Sequence, residues 1–166
     1  VPQELTFGGT CRYFDYDKAG RPFYDEFYHL LDHTCASYHC SWTSGPVPKP
    51  LYEVHNDKTC AALAEKAITA SLGNDILTKC EPWMASETFP ILTRLYPGVL
   101  TFTGIANPSK GTGGNHHTPE FDLDEDALVY GTTACISYAL AFLKENPQTS
   151  FIRTNEPLDI LAARNV

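Results

Sequence analysis

The spacing of apolar residues changes character several times along this chain. Over residues 5–16, Leu5, Phe7, Tyr13 and Phe14 flank Gly8-Gly9-Thr10, which predicts a strand with glycine where the backbone bends or a neighbouring strand approaches. A polar turn follows at residues 17–22. From residue 22 to 39 the period becomes helical: Phe23, Phe27, Leu30, Leu31 and Cys35 share one face, Pro22 suits the first turn, and Asp25 and Glu26 sit near the positive end of the dipole. Residues 41–54 are proline-rich and predict an extended or edge segment. Asn56-Asp57 then offers a cap for a helix over about 58–72, which Gly73-Asn74-Asp75 ends.

Beyond that point the pattern predicts a buried strand at 76–80 and a helix over 86–96. Pro97-Gly98 turns the chain into a second central strand at 99–105, rich in Val, Leu, Phe and Ile. Residues 107–118, rich in Gly, Asn and Ser, form a loop at that strand's end, where functional residues tend to sit. The acidic run 122–126 opens a helix with Leu128, Ile136, Leu140 and Leu143 on one face. The alternation of strands and helices gives an α/β or α+β class, with a composition change near His55 as the domain boundary.

Charge narrows the partners. Twenty acidic against twelve basic residues leave a net charge of -8, with no Lys/Arg cluster, so nucleic acid and anionic membrane are not expected partners. No apolar run is read as approaching the roughly 20 residues that span a bilayer, and the start of the chain lacks the blocks of a secretory signal. Six scattered cysteines without a Cys-x-x-Cys pair suggest free thiols in a reducing compartment. The expectation is a soluble, cytoplasmic protein. The chain begins at Val1 and its one methionine is Met84, so removal of an upstream segment is also expected.

Four clusters bear on chemistry. His116 and His117 stand on the glycine-rich loop ahead of a helix, and imidazole is the commonest protein ligand for zinc-like ions. Solvated loop histidines are the alternative; a catalytic zinc takes three protein ligands, so this loop would depend on residues from elsewhere. The acidic run Asp122, Asp124, Glu125 and Asp126 is not a calcium loop, because Ala127 replaces the turn glycine and Thr133 the bidentate glutamate; helix capping accounts for it. His29 and His33 share a helix face with His39 and Cys40 close behind, but no glutamate sits between them in a zincin arrangement, so they read as surface histidines. Gly111 to Gly114 lack the lysine of a phosphate loop and read as hinge material.

An ordered set of short phrases runs through the chain: Val1-Pro2; Gly9-Thr10-Cys11-Arg12; Pro50 with Asn56-Asp57; Ser86-Glu87-Thr88-Phe89; Pro97-Gly98; and His117-Thr118-Pro119-Glu120-Phe121, followed by Asp124-Glu125-Asp126-Ala127-Leu128 and Gly131. Together they resemble the metal-dependent amidohydrolase and metallopeptidase family of hippurate hydrolases, aminoacylases, carboxypeptidases and plant hydrolases of indole-acetyl amino acids. Its matching phrases are Ile-Pro-Asp, Gly-Thr-x-Arg, Pro-x-x-x-Asn-Asp, Ser-Glu-Asp-Phe, Pro-Gly and His-Ser-Pro-x-Phe. Thr88 departs from the aspartate of Ser-Glu-Asp-Phe, and Ala85 stands where glycine is common.

The resemblance implies a pair of divalent ions, zinc, manganese or similar, with His117 as a ligand and His116 its neighbour. It implies hydrolysis of an N-acyl amino acid or small peptide by metal-activated water. The remaining ligands and the glutamate base would lie upstream of Val1, so no catalytic residue is expected in this fragment and the isolated chain would be inactive. Residues 1–54 would be the second half of an α+β lid, or dimerisation, domain. Residues 55–166 would be the C-terminal half of an α/β metal-binding catalytic domain with a mixed central sheet. Implied partners are the upstream part of the same polypeptide and a second copy paired through the lid. Arg12 is a candidate for binding a substrate carboxylate through its fork of donors, or for a salt bridge in the lid sheet. Glu87 and His116 are candidate supporting or loop residues. The rivals are a non-catalytic dimerisation module that pairs by its lid strand, and a small zinc protein using His29, His33 and Cys40.

Overall fold

A computed structural model describes residues 2–45, 51–85 and 87–163. Val1, Pro50 and Ser86, which carry parts of the phrases above, lie outside the described residues. The helices are α1 (Arg21–Ser37), α2 (Lys58–Leu72), α3 (Pro90–Leu95), α4 (Ala127–Glu145) and α5 (Leu158–Ala162). The chain divides into two compact units, one of Val1–Val54, Glu81–Ile91 and Asn155–Val166, the other of His55–Cys80 and Leu92–Thr154.

In the first unit a π-helical turn, Tyr16–Gly20, leads into α1 and is capped by Asp15, whose carboxylate accepts from the Lys18 amide at 2.8 Å. That bond holds the Asp15 carboxyl below its usual range. The Tyr13 ring lies against Gly20, where an added Cβ would sit 2.6 Å from Cε2 and Cζ, and the Tyr13 hydroxyl donates to the Leu51 carbonyl. The Glu53 carboxylate accepts from the Tyr16 amide at 3.0 Å, and the Tyr52 hydroxyl donates to Glu156 at 2.6 Å. Tyr28 stacks on Trp42 with centroids 5.5 Å apart, and the Trp42 indole donates to Asp32 at 2.8 Å.

The core of the second unit is the face between α2 and α4. Cys60, Leu63, Ala64, Ala67 and Ile68 are buried on α2, and its small residues let the helices approach closely. Asp57 caps α2 by accepting from the Cys60 amide at 2.9 Å, and the Gly73 amide closes the other end on the Thr69 carbonyl. A Ser71–Ser137 hydroxyl pair at 2.8 Å and a Lys66–Glu145 ion pair at 2.8 Å tie the helices at their exposed edges. Burial pushes the Cys60 thiol and the Tyr138 hydroxyl upward in pKa.

The expected α/β class with a mixed central sheet is overturned: no strand occurs among the described residues, and the regular structure is helical. Among the described residues the runs at 5–16 and 99–105 carry β-favouring side chains but form no strand, and residues 74–76 close into a 3-10 turn. Near residue 100 a side chain takes the place of a strand. The Asn56 amide donates to the Leu100 carbonyl at 3.0 Å while its carbonyl accepts from the Leu100 amide at 2.8 Å, and the Asp57 amide bonds Gly98 at 2.9 Å.

Two further expectations change. The helix expected over 86–96 contracts to α3, which starts at Pro90 because proline's fixed φ and missing N–H suit a first turn. The expectation on apolar runs also changes: α4, with 19 residues, is long and apolar enough to cross a membrane by length and composition alone. It was hidden because Ala, Cys, Gly, Thr and Tyr fill the positions between its larger apolar residues, and its one basic residue, Lys144, comes in the last turn.

Candidate functional site

The loop between residues 105 and 126 is built around Asn107. Its side-chain oxygen accepts from Ser109 N at 3.2 Å and Ser109 Oγ at 2.7 Å, which sets the 3-10 turn Pro108–Lys110. Its carbonyl accepts from the amides of Lys110 at 3.0 Å and Thr112 at 3.2 Å, and its own amide donates to Thr112 Oγ1 at 2.9 Å. The Asn107 side-chain NH2 donates to Asp124 Oδ2 at 2.6 Å. Lys110 Nζ reaches Asp124 Oδ1 at 2.6 Å and also Asp126 Oδ2, and the Asp124 amide donates to the Ile105 carbonyl at 2.9 Å. Both ends of the loop are thereby joined.

Electrostatics follow the geometry. The carboxylates of Asp124 and Asp126 hold the Lys110 ammonium above its ordinary pKa, while the Lys110 ammonium and then the Asn107 amide hold Asp124 below its own. The Asp124 side chain is only 13% exposed, so water competes little for it, in contrast to Asp126 at 79%. Asp126 stands at the N-cap of α4 without a side-chain cap bond, while the Asp124 carboxylate accepts from the Asp126 amide at 3.2 Å just ahead of the helix and Asp122 accepts from the Leu123 amide at 2.8 Å. Asp124 and Asp126 also pair with Lys110.

The tip of the loop carries the two imidazoles. Gly114 passes so close to the Glu120 carbonyl that an added Cβ would lie 2.0 Å from its oxygen. The glycines expected as a hinge therefore include a tightly packed one. Thr118 Oγ1 donates to the Asn115 carbonyl at 2.8 Å, and the Phe121 amide donates to the Thr118 carbonyl at 3.1 Å. His117 between them has φ of 63°, the left-handed region that costs most side chains energy. The His116 ring meets Phe121 edge-on at 5.1 Å, and the two imidazole centroids are 6.4 Å apart.

Among the described residues no three His, Cys, Asp or Glu side chains converge as a metal site would require. His116 and His117 are brought together, but the residues present do not by themselves fit one divalent ion, still less a pair. The small-zinc reading fails on the same geometry: His33 Nδ1 lies 2.8 Å from the His29 carbonyl, the rings are 4.1 Å apart, and the Cys40 thiol turns to the Tyr38 carbonyl at 3.5 Å. Arg12 and Glu87 belong to the first unit. Arg12 Nη1 donates to the Met84 carbonyl at 2.9 Å, and Glu87 Oε1 accepts from the amides of Thr88 at 2.7 Å and Phe89 at 3.0 Å. Glu87 thus secures the turn ahead of α3.

Asn56, Asn107 and Lys110 were not singled out by sequence reasoning for these bonds. The one sequence signal was a solitary lysine ahead of an acidic run, and it gains meaning only once the loop folds back.

Proteins similar to this chain include several named IAA-amino acid hydrolases. "IAA-amino acid hydrolase ILR1-like 2" of Arabidopsis thaliana is 25% identical over 148 residues, 87% of this chain and 33% of the relative. "IAA-amino acid hydrolase ILR1-like 4" of the same plant is 24% identical over 159 residues, 94% of this chain and 36% of the relative. "IAA-amino acid hydrolase ILR1-like 5", also from that plant, is 30% identical over 91 residues, 55% of this chain and 21% of the relative. The chain spans about a third of the length of the first two. No family model and no solved structure matches it.

Proposed function

We propose that this chain is part of a metal-dependent hydrolase that cleaves the amide bond of N-acyl amino acids or small peptides, indole-acetyl conjugates among them. The names of its relatives support the reaction class. The observation that carries the assignment to a site is the 105–126 loop, which holds His117 in left-handed backbone behind a base tied by Asn107, Lys110 and Asp124. We assign His117 to a pair of divalent ions, zinc, manganese or similar, whose other donors and glutamate base come from polypeptide beyond these residues. Residues 1–166 alone are then inactive. Residues 1–54 serve as the second half of a lid that pairs two copies, and residues 55–166 as the C-terminal half of the catalytic domain.

The test is hydrolysis of indole-acetyl, benzoyl and acetyl amino acids by the full protein, with and without a chelator. We expect turnover that the chelator abolishes and that His117→Ala lowers by at least about 100-fold. Undiminished turnover by that variant would remove His117 from the chemistry. A second reading, a non-catalytic dimerisation module, is favoured by Leu5, Phe7 and Phe14 standing exposed on an extended segment, Leu5 at 79%. A stable dimer that hydrolyses none of these substrates would select it.

A further inference from the structure

A loop anchored only through its own tip samples many conformations, and an imidazole on it has no fixed position. Here the tip has local bonds of its own, but the two strands of the loop are joined elsewhere. Asp124 spends one carboxylate oxygen on Asn107 and the other on Lys110, and the same Lys110 ammonium reaches Asp126. Because Lys110 and Asn107 lie on the incoming arm and Asp124 and Asp126 on the outgoing arm, each of these bonds closes the intervening chain. Asp124 is half-buried, so solvent screens this closure less than it screens the more exposed Lys66–Glu145 pair.

We infer that Lys110 is a positioning residue: it latches the two arms of the 105–126 loop so that His116 and His117 are presented in one conformation. The inference rests on the reading of His117 as the imidazole that serves the reaction, but the latch itself can be measured without any reaction. The bonds of Lys110 run to Asp124 and Asp126, so it acts through the arms it joins. Arginine at 110 keeps the charge and can bridge both carboxylates; methionine keeps the length and loses both bonds.

The test compares Lys110→Met, Lys110→Arg and Lys66→Met in the full protein. Amide hydrogen exchange is followed over residues 113–121 and over α2 and α4, and the ring resonances of His116 and His117 are followed by NMR. Lys110→Met should speed exchange over 113–121 by about fivefold or more, with α2 and α4 unchanged, and should broaden or double the ring resonances. Lys110→Arg should restore both, and Lys66→Met, which removes a lysine from the exposed helix pair, should move neither. Exchange over 113–121 within twofold of the parent in Lys110→Met would overturn the latch. If that variant loosens the whole protein, Asp124→Asn, which weakens the Lys110 pair from the other side, decides: a rise confined to 113–121 supports the latch, and none refutes it. Steady-state kinetics separate the two readings. A lower kcat at unchanged KM in Lys110→Met supports positioning, whereas a parent protein that hydrolyses nothing sinks the proposed function and leaves the exchange result to judge the latch.

Discussion

Replacing Asn56 by alanine removes two hydrogen bonds that a single side chain makes to one residue, 3.0 Å to the Leu100 carbonyl and 2.8 Å from the Leu100 amide. Neutral bonds of this kind each contribute about 0.5–1.5 kcal/mol net. Asn56 is exposed and Leu100 half-buried, so water replaces part of the loss and the expected destabilisation is about 1–2 kcal/mol. For a chain of this size that corresponds to a fall in Tm of about 3–6 °C. Asn56→Asp should be at least as damaging, because an acceptor oxygen then faces the Leu100 carbonyl where a donor stood. The assay is urea unfolding of the parent and both variants by circular dichroism, with m-values compared so that a change in midpoint can be read as a change in stability. A stability within about 0.3 kcal/mol of the parent for both variants would refute the surrogate-strand argument, since ordinary surface changes fall in that range. Aspartate less damaging than alanine would refute the assigned orientation of the amide.

Three other outcomes follow. His117→Gly should raise stability by up to about 1 kcal/mol over His117→Ala, because glycine accepts left-handed backbone at no steric cost but loses more chain entropy; equal unfolding midpoints would refute the strain. The latch should hold across mid-range pH. Asp124, depressed in the folded state, contributes above its unfolded value of about 3.9 and loses this as pH falls through its lower folded value. Lys110, raised, contributes below about 10.4 and loses this as pH rises through its higher folded value. The side-chain amide resonances of Asn107 and the Nζ resonance of Lys110 should therefore stay flat between about pH 5 and 9, and a step near neutrality would refute it. Finally, brief alkylation of the native protein should label the exposed Cys11, Cys40, Cys80 and Cys135 and spare Cys60, fully buried and held protonated; labelling of Cys60 at the same rate would show the α2 face to be open.

What could be read from the residues depended on how local the determining physics is. The α2 boundaries at 58 and 72 were legible because a capping aspartate, a closing glycine and the helical period all act within a few residues. The start of α4 was legible too, since the acidic run 122–126 stands directly ahead of Ala127, but the pairing of Asp124 and Asp126 with Lys110, fourteen and sixteen positions away, was not. The strand expectations at 5–16 and 99–105 failed for a related reason: β-branched and aromatic residues report how a segment suits a neighbouring backbone, and say nothing about whether one is there. The Gly/Asn/Ser-rich composition did locate the loop that bears His116 and His117. A chemical role for His117 rested on resemblance alone, because two adjacent imidazoles have the same composition whether they bind an ion or face water.

Gly20 has a consequence of a different sort. Its bare α-carbon leaves the space that the Tyr13 ring fills, and the hydroxyl of that ring holds the backbone at Leu51. A methyl group at position 20 would meet that ring at 2.6 Å and push it aside, which would strain the bond its hydroxyl makes to Leu51, thirty-one positions further along the chain. Position 20 therefore works as a relay: a change too small to disturb its own turn would be felt at residue 51, and a variant there would be misread as a defect of the distant segment.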